Sequence, residues 1–225
     1  MNKTKYLYCS RCTVKQKNIS INNEQIQQVD SYRYLGSIIN GNNSIEEEIK
    51  ARIATGNRAY YANLNLFKSR LISKHAKIRL YNTIIRPVVS YGCETWVLKQ
   101  DLRQKLLVFE RKIYGPVKEF DGTWRILRNN ELYDKIKHKH IINFIKSQRI
   151  RWFGHVHRMS NERIVKRISR WNPLQTRPVG KPKNRWEDDA IKDLKILKVE
   201  NWVQSIQNRL IWRKIVEKAK TSMEL

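Results

Sequence analysis

A mainly α fold, with a short β-hairpin ahead of the helices, is what this 225-residue sequence predicts. Two observations carry the prediction. From Ser44 onward apolar residues recur at the period of a helix with one buried face, whereas between Tyr6 and Ile39 they alternate with polar ones around the turn pair Asn22 and Asn23. A hydrophobic share of 40% is enough for a core.

In the N-terminal segment Ile19, Ile21, Ile26, Val29, Tyr32, Tyr34 and Ile38 mark the strands. Gly41 to Ser44 ends them, and Ser44 with Glu47 has the spacing of a capping box. The first helix carries Ile45, Ile49, Ile53, Tyr60, Leu64 and Phe67 on one face, with Lys50, Arg52 and Arg58 elsewhere around it. A second helix over 74–91 takes Ser73 as N-cap, turns Ile78, Tyr81, Ile84, Ile85 and Val88 inward, and is kinked by Pro87.

A third helix over 102–113 places Leu102, Leu106, Phe109 and Ile113 together before Gly115 and Pro116 break it. Further helical segments are expected at 130–138, 141–159 and 161–170. Pro173, Pro178 and Pro182 forbid a helix in the linker N-P-L-Q-T-R-P-V-G-K-P-K-N-R at 172–185. Beyond it, Trp186, Ala190, Leu194 and Leu197 make one helical stripe, and Ile206, Leu210 and Ile215 another in a helix over 202–218.

Charge narrows the function. The chain holds 46 Lys and Arg against 20 Asp and Glu, a formal +26. Between Lys135 and Arg185 there are fifteen Lys or Arg and a single acid, Glu162. A polyanion, RNA and/or DNA, is the partner such a balance selects. No apolar run reaches the length of a signal peptide core or a membrane span, so the sequence reads as an intracellular chain, nuclear or cytoplasmic, with no membrane partner. Cys9, Cys12 and Cys93 form no disulfide framework. His138, His140, His155 and His157 stand at i and i+2, about 200° apart on a helix, and so offer no chelating face.

Several stretches together carry a family likeness: N-K-T-K-Y at 2–6, S-Y-R-Y-L-G-S at 31–37, E-E-E-I-K-A-R-I-A at 46–54, I-R-L-Y-N-T-I-I-R-P-V-V-S-Y-G-C-E-T-W at 78–96, F-I-K-S-Q-R-I-R-W-F-G-H-V-H-R-M at 144–159 and V-G-K-P-K-N-R-W-E-D-D at 179–189. In this order they resemble the C-terminal part of the reverse transcriptase of non-LTR, LINE-type retrotransposons. The resemblance implies that 1–43 is the end of the palm with a primer-grip-like hairpin, 44–97 the helical thumb, 98–171 a basic helical region, 172–185 a linker, and 186–225 a closing helical pair. It departs from the family near 111–116, where the helix is shortened.

The family's metal-binding aspartates lie in an (F/Y)-A-D-D segment upstream of the matched part. Two-metal nucleotidyl transfer needs such acids. The resemblance therefore implies a chain with no catalytic residue and no cofactor or metal site of its own, inactive alone, whose magnesium would belong to the missing palm and whose further partner is that polymerase part. Asp188 and Asp189 offer no substitute. They are adjacent on an expected surface helix, about 100° apart, with Arg185 and Lys192 as counter-charges.

The candidate sites each carry two readings. Tyr32, Tyr34, Leu35 and Gly36 support a primer end by the resemblance, or form a plain hairpin. Lys50, Arg52 and Arg58 contact template and primer, or face solvent. Arg149, Arg151 and Arg158 bind phosphates, or cover an ordinary core. Arg177, Lys181, Lys183 and Arg185 lie in a narrow minor groove, or merely tether. Trp152, Trp171 and Trp186 stack on bases, or pack in the core. The function expected is a nucleic-acid-binding C-terminal fragment of an RNA-directed DNA polymerase. The alternative is a free-standing, co-opted DNA- or RNA-binding protein, or a relic of the element.

Overall fold

The protein is described by a computed structural model over residues 4–8, 19–115, 117, 118, 120–126, 128, 131, 132, 134, 136, 140–171 and 185–222. It is mainly α, as the sequence predicts. The N-terminal part holds two small sheets where one hairpin was expected. In the first, β1 (Lys5–Tyr6) runs parallel to β3 (Glu24–Gln28), which pairs antiparallel with β2 (Ile19–Ile21). Asn22 and Asn23 both take positive φ, 51° and 66°, so the β2–β3 connection has the two left-handed residues a tight hairpin turn requires.

The second sheet is the hairpin of β4 (Ser31–Tyr34) and β5 (Ser37–Asn40), in the register Tyr32 to Ile39 and Tyr34 to Ser37. Its turn is Leu35 and Gly36, at φ 47° and 84°. Glycine takes that conformation without strain; leucine does not.

Helix α1 (Glu46–Ala62) follows. The expected capping box is absent. Ile45 holds the N-cap position without a side-chain hydrogen bond, and Ser44 is clamped by Asn40, whose Oδ1 accepts from Ser44 N at 2.8 Å while its Nδ2 donates to Ser44 O at 3.0 Å. The helix stops at Asn63, whose amide donates back to Ala59 O at 2.8 Å, so Leu64 and Phe67 belong to a separate short helix, α2 (Leu64–Lys68).

Ser73 caps α3 (Lys74–Leu80) through the N–H of Ala76, as predicted. The helix then widens into a π-turn over Tyr81–Ile85 before α4 (Arg86–Val89). A π-turn takes one more residue per turn than an α-helix. The buried stripe is accordingly Tyr81, Ile85 and Val89, while Ile84 is exposed and Val88 only half-buried. Pro87, which lacks an N–H, sits just after this widened turn, where the sequence predicts the kink.

Helix α5 (Gln100–Tyr114) buries Leu102, Leu106, Phe109 and Ile113 as expected. Two-residue strands β6 (Val117–Lys118) and β7 (Trp124–Arg125) pair after it, which the sequence reading missed. The segment expected as a helix at 130–138 falls mostly outside the described residues.

Helix α6 (Ile141–Arg158) is the spine of the molecule. Ile141, Ile142 and Ile145 close a first core with Ile49, Tyr81, Trp96, Leu106 and Phe109. Ile150 and Phe153, further along, enter a second core with Ala190, Leu194, Ile206, Trp212 and Val216. That second core is built from α8 (Trp186–Ile196), α9 (Trp202–Gln207) and α10 (Arg209–Thr221), with α7 (Ile164–Arg170) lying beside α6.

The last predicted helix is broken. Asn208 accepts from the N–H groups of Leu210 and Ile211 and starts α10 afresh, which resets the helical phase. Trp212, Val216 and Ala219 are buried as a result, and Leu210, expected inside, is 72% exposed.

Candidate nucleic-acid interface

Helix α6 decides which cations face outward. Lys146, Arg149 and Phe153 share the helix face that also carries Ile142 and Ile150, because steps of three and four residues return to one side. On α8, Asp189 and Asp193 are likewise on the side of Ala190 and Leu194. Packing the two helices brings these charges together in the interior. Arg149, 1% exposed, donates from Nη1 to Asp189 Oδ2 at 3.1 Å and to Trp96 O at 3.0 Å, and from Nη2 to Asp193. Lys146 Nζ donates to Asp193 Oδ1 at 2.9 Å.

Arg149 is thus removed from the phosphate-binding candidates: it is a structural cation with two carboxylate partners. The expectation that Asp188 and Asp189 share a surface is corrected too, since Asp189 is 7% exposed. Burial pushes the Lys146 amine below its ordinary pKa, and Asp193 opposes that shift.

Arg52 also turns inward. Its Nε donates to Glu48 Oε1 at 2.6 Å, and Nη2 reaches Gly36 O at 2.6 Å and Ser37 Oγ at 3.2 Å. The guanidinium lies 4.6 Å from the centre of the Tyr91 ring, and the Tyr91 hydroxyl donates to Leu35 O at 3.0 Å. Buried Glu48 in turn accepts from Ile38 N at 2.7 Å. Arg52 therefore straps the β4–β5 turn to α1 rather than standing ready for a template.

The rest of the predicted set divides by exposure. Lys50, Arg58, Arg151 and Arg185 are exposed, with Arg58 donating to Thr55 Oγ1 at 3.0 Å. Half-buried Arg158 donates to Ile206 O at 2.9 Å and so ties α6 to α9. Arg177, Lys181 and Lys183 lie outside the described residues. Tyr32, Tyr34 and Leu35 are exposed at 40%, 57% and 74%. With Leu7, Val29 and Ile39, the two tyrosines line a shallow groove of about 210 Å³.

Among the tryptophans, Trp186 packs against the second core and donates to Glu94 O at 2.7 Å, and Trp152 is half-buried with its ring 5.2 Å from that of His155. Trp171 is 67% exposed.

Helix α7 supplies what sequence reasoning missed. Its inward contact is Lys166, 3% exposed, whose ammonium donates to His157 O. With Lys166 inside, Arg167 and Arg170 follow the N-cap Arg163 along one edge, and Ile164 and Ile168 lie about 100° round the axis, ahead of the C-cap Trp171. All six are exposed. The cations here raise the local potential: burial first, then Lys166, Arg170 and Arg158, hold the His157 imidazole down at about 4. The signal was present in the sequence as the i, i+4, i+7 spacing of the three arginines.

Over 208 residues the chain is 25% identical to an uncharacterized transposon-derived protein of Caenorhabditis elegans, an alignment covering 88% of this chain and 74% of the relative. The chain is of transposon-related origin. No family model matches it, and no solved structure does. The aligned span takes in most of the chain, so the transposon relationship extends well beyond any one helix.

Among the described residues no group of three or more His, Cys, Asp and Glu side chains is placed to hold a metal ion, and no helix is long and apolar enough to cross a membrane. Cys9 and Cys12 lie outside those residues. Cys93 is buried, and burial pushes its thiol up to about 12, which keeps it protonated and unreactive.

Proposed function

We propose that this chain is the nucleic-acid-binding C-terminal part of a retrotransposon RNA-directed DNA polymerase, holding template-primer or target DNA beside a catalytic palm that carries the aspartates and the magnesium. Its transposon-related origin and the motif order from the hairpin to the tryptophan at 186 support the reading.

The observation that carries it is where the charge goes. Among the described residues the buried charged groups are nearly balanced: Glu48, Glu110, Asp189 and Asp193 against Lys146, Arg149 and Lys166. The formal +26 is therefore not consumed inside the core. It is left to side chains such as Arg151, Arg163, Arg167 and Arg170, beside a solvent-facing Trp171. Cations track a phosphate backbone and an exposed indole stacks on a base, the combination that single-strand binders use. By the resemblance, the exposed hairpin tyrosines Tyr32 and Tyr34 are a separate contact, at the primer end.

The test is a gel-shift titration of the purified chain with single- and double-stranded probes at increasing salt. Affinity is expected to fall steeply, with a log-log slope of about −0.9 for each duplex phosphate contacted. Undetectable or salt-independent binding overturns the reading.

A further inference from the structure

Between the π-turn, the start of α6 and the end of α10 lies a pocket of about 590 Å³, lined by Asn82, Arg86, Phe144, Lys218, Lys220 and Thr221, with Glu217 at its side. That volume is within the range of sites that hold a nucleotide-sized ligand. Arg86 is the first residue after the π-turn, so the widened turn sets its direction. Its guanidinium lies over Phe144, 4.2 Å from the ring centre, and its Nε is buried without a hydrogen-bond partner. The carboxylate on its inner side, Glu110, is engaged instead by the Tyr81 hydroxyl at 2.9 Å and by Ile141 N at 3.0 Å.

Nε is closed to solvent, so what Arg86 offers a ligand is the rest of its fork and its charge. The pocket's other charges do not neutralise that cation. Lys218 and Lys220 are further cations, Lys218 donating to Leu197 O at 3.0 Å, and Glu217, the one acid among the described lining residues, pairs with Lys220 at 2.6 Å. Among the described lining residues three cations stand against one acid, and the Phe144 ring lies beneath the Arg86 guanidinium.

We propose that this pocket seats a terminal phosphate of a nucleic-acid strand. Arg86 presents its planar fork to the phosphate oxygens, which is the geometry arginine matches best. Lys218 and Lys220 supply the surrounding charge, and the Asn82 amide and Thr221 hydroxyl offer further donors. A phosphomonoester carries close to two negative charges near neutral pH, against one for an internal diester, and so suits this lining better. The proposal rests on the nucleic-acid reading given above and adds to it a preference for strand ends.

The experiment compares the full chain's affinity for one short single-stranded oligonucleotide in three forms: 5′-phosphorylated, 3′-phosphorylated and unphosphorylated. One of the phosphorylated forms is expected to bind about tenfold more tightly than the unmodified strand, the worth of a charge-assisted hydrogen bond. Arg86→Gln is expected to remove that advantage while leaving the unmodified strand's affinity unchanged. Should Arg86→Gln fail to fold, Lys220→Glu, on the outer wall, is expected to reduce the same advantage. Equal affinity for all three forms overturns the pocket proposal and leaves the nucleic-acid reading standing. Binding of a phosphorylated form alone, with none of the unmodified strand, supports the pocket and overturns the broader interface.

Discussion

Arg149 on α6 donates to Asp189 on α8 at 3.1 Å, inside the protein and with almost no exposure of the arginine. Sequence composition assigns this residue to a cationic face; packing makes it the join between the two halves of the helical region. With Asp193 and Lys146 it forms a buried four-residue charge cluster, and the carbonyl of Trp96 anchors it to the first core.

Removing one member of such a cluster leaves uncompensated charge in the interior. Arg149→Ala is expected to lower stability by about 3 to 5 kcal/mol, whereas Arg151→Ala, two residues on and exposed, is expected to change it by no more than about 0.5 kcal/mol. Urea denaturation midpoints of the two variants check this. Equal, small effects would return Arg149 to the surface.

A second join is steric. A Cβ built on Gly154 would lie 2.0 Å from Nε1 of Trp212, whose indole donates to Ile150 O at 3.2 Å. Gly154→Ala therefore has to push the indole away and break that bond, an overpacking cost of about 1 to 3 kcal/mol. Thermal denaturation of Gly154→Ala should show the loss. Trp212→Phe in the same background should recover part of it, since the smaller ring vacates the crowded edge.

The pH dependence has a defined sign. Glu110 is fully buried, faces Tyr81, Tyr114 and Arg86, and burial pushes its carboxyl up from 4.5 to about 7, against the hydrogen bonds from Ile141 and Tyr81. A folded-state pKa above the unfolded one means the native state holds the proton longer, so this stabilisation is complete below the ordinary carboxylate range and is lost as pH rises through about 7. His157, held down at about 4, contributes with the opposite sign over an overlapping range. A single pH profile would mix the two. The informative quantity is the stability of the wild type relative to Glu110→Gln, which is expected to fall by roughly 3 kcal/mol between about pH 4.5 and pH 8. A difference that stays constant with pH would contradict the assignment.

Much of this architecture was legible in the sequence. The stripes Leu102, Leu106, Phe109, Ile113 and Ala190, Leu194, Leu197 are buried as their spacing requires, and Ser73 caps its helix. What failed had local physical causes. The π-turn at Tyr81–Ile85 exchanged Val88 for Val89, and the Asn208 cap turned Leu210 outward. Neither event leaves a periodicity signature, because each inserts a phase shift into an otherwise helical pattern.

The candidate interface was harder to read. Counting cations along 135–185 treats Lys146, Arg149 and Lys166 as equal to Arg151 and Arg167, although the first three are buried. A sharper signal was available: Asp189 and Asp193 stand at i and i+4 on the apolar stripe of α8, and two acids on a buried face demand buried cations opposite them. The place of Arg52 is hidden from the sequence for a different reason. Its partners, Gly36 O and the Tyr91 ring, are far away in sequence and no local pattern points to them.

On the proposed function, the outward arginines of α7 and its N-cap, and not the buried cations of α6, meet nucleic acid. This is tested most directly by the salt dependence of duplex binding for wild type and for Arg163→Gln, Arg167→Gln and Arg170→Gln combined. The account predicts a triple variant of unchanged stability whose log-log salt slope is shallower by about 2 to 3, with correspondingly weaker binding. Identical slopes for the two proteins, or a wild type whose binding ignores salt, would contradict it.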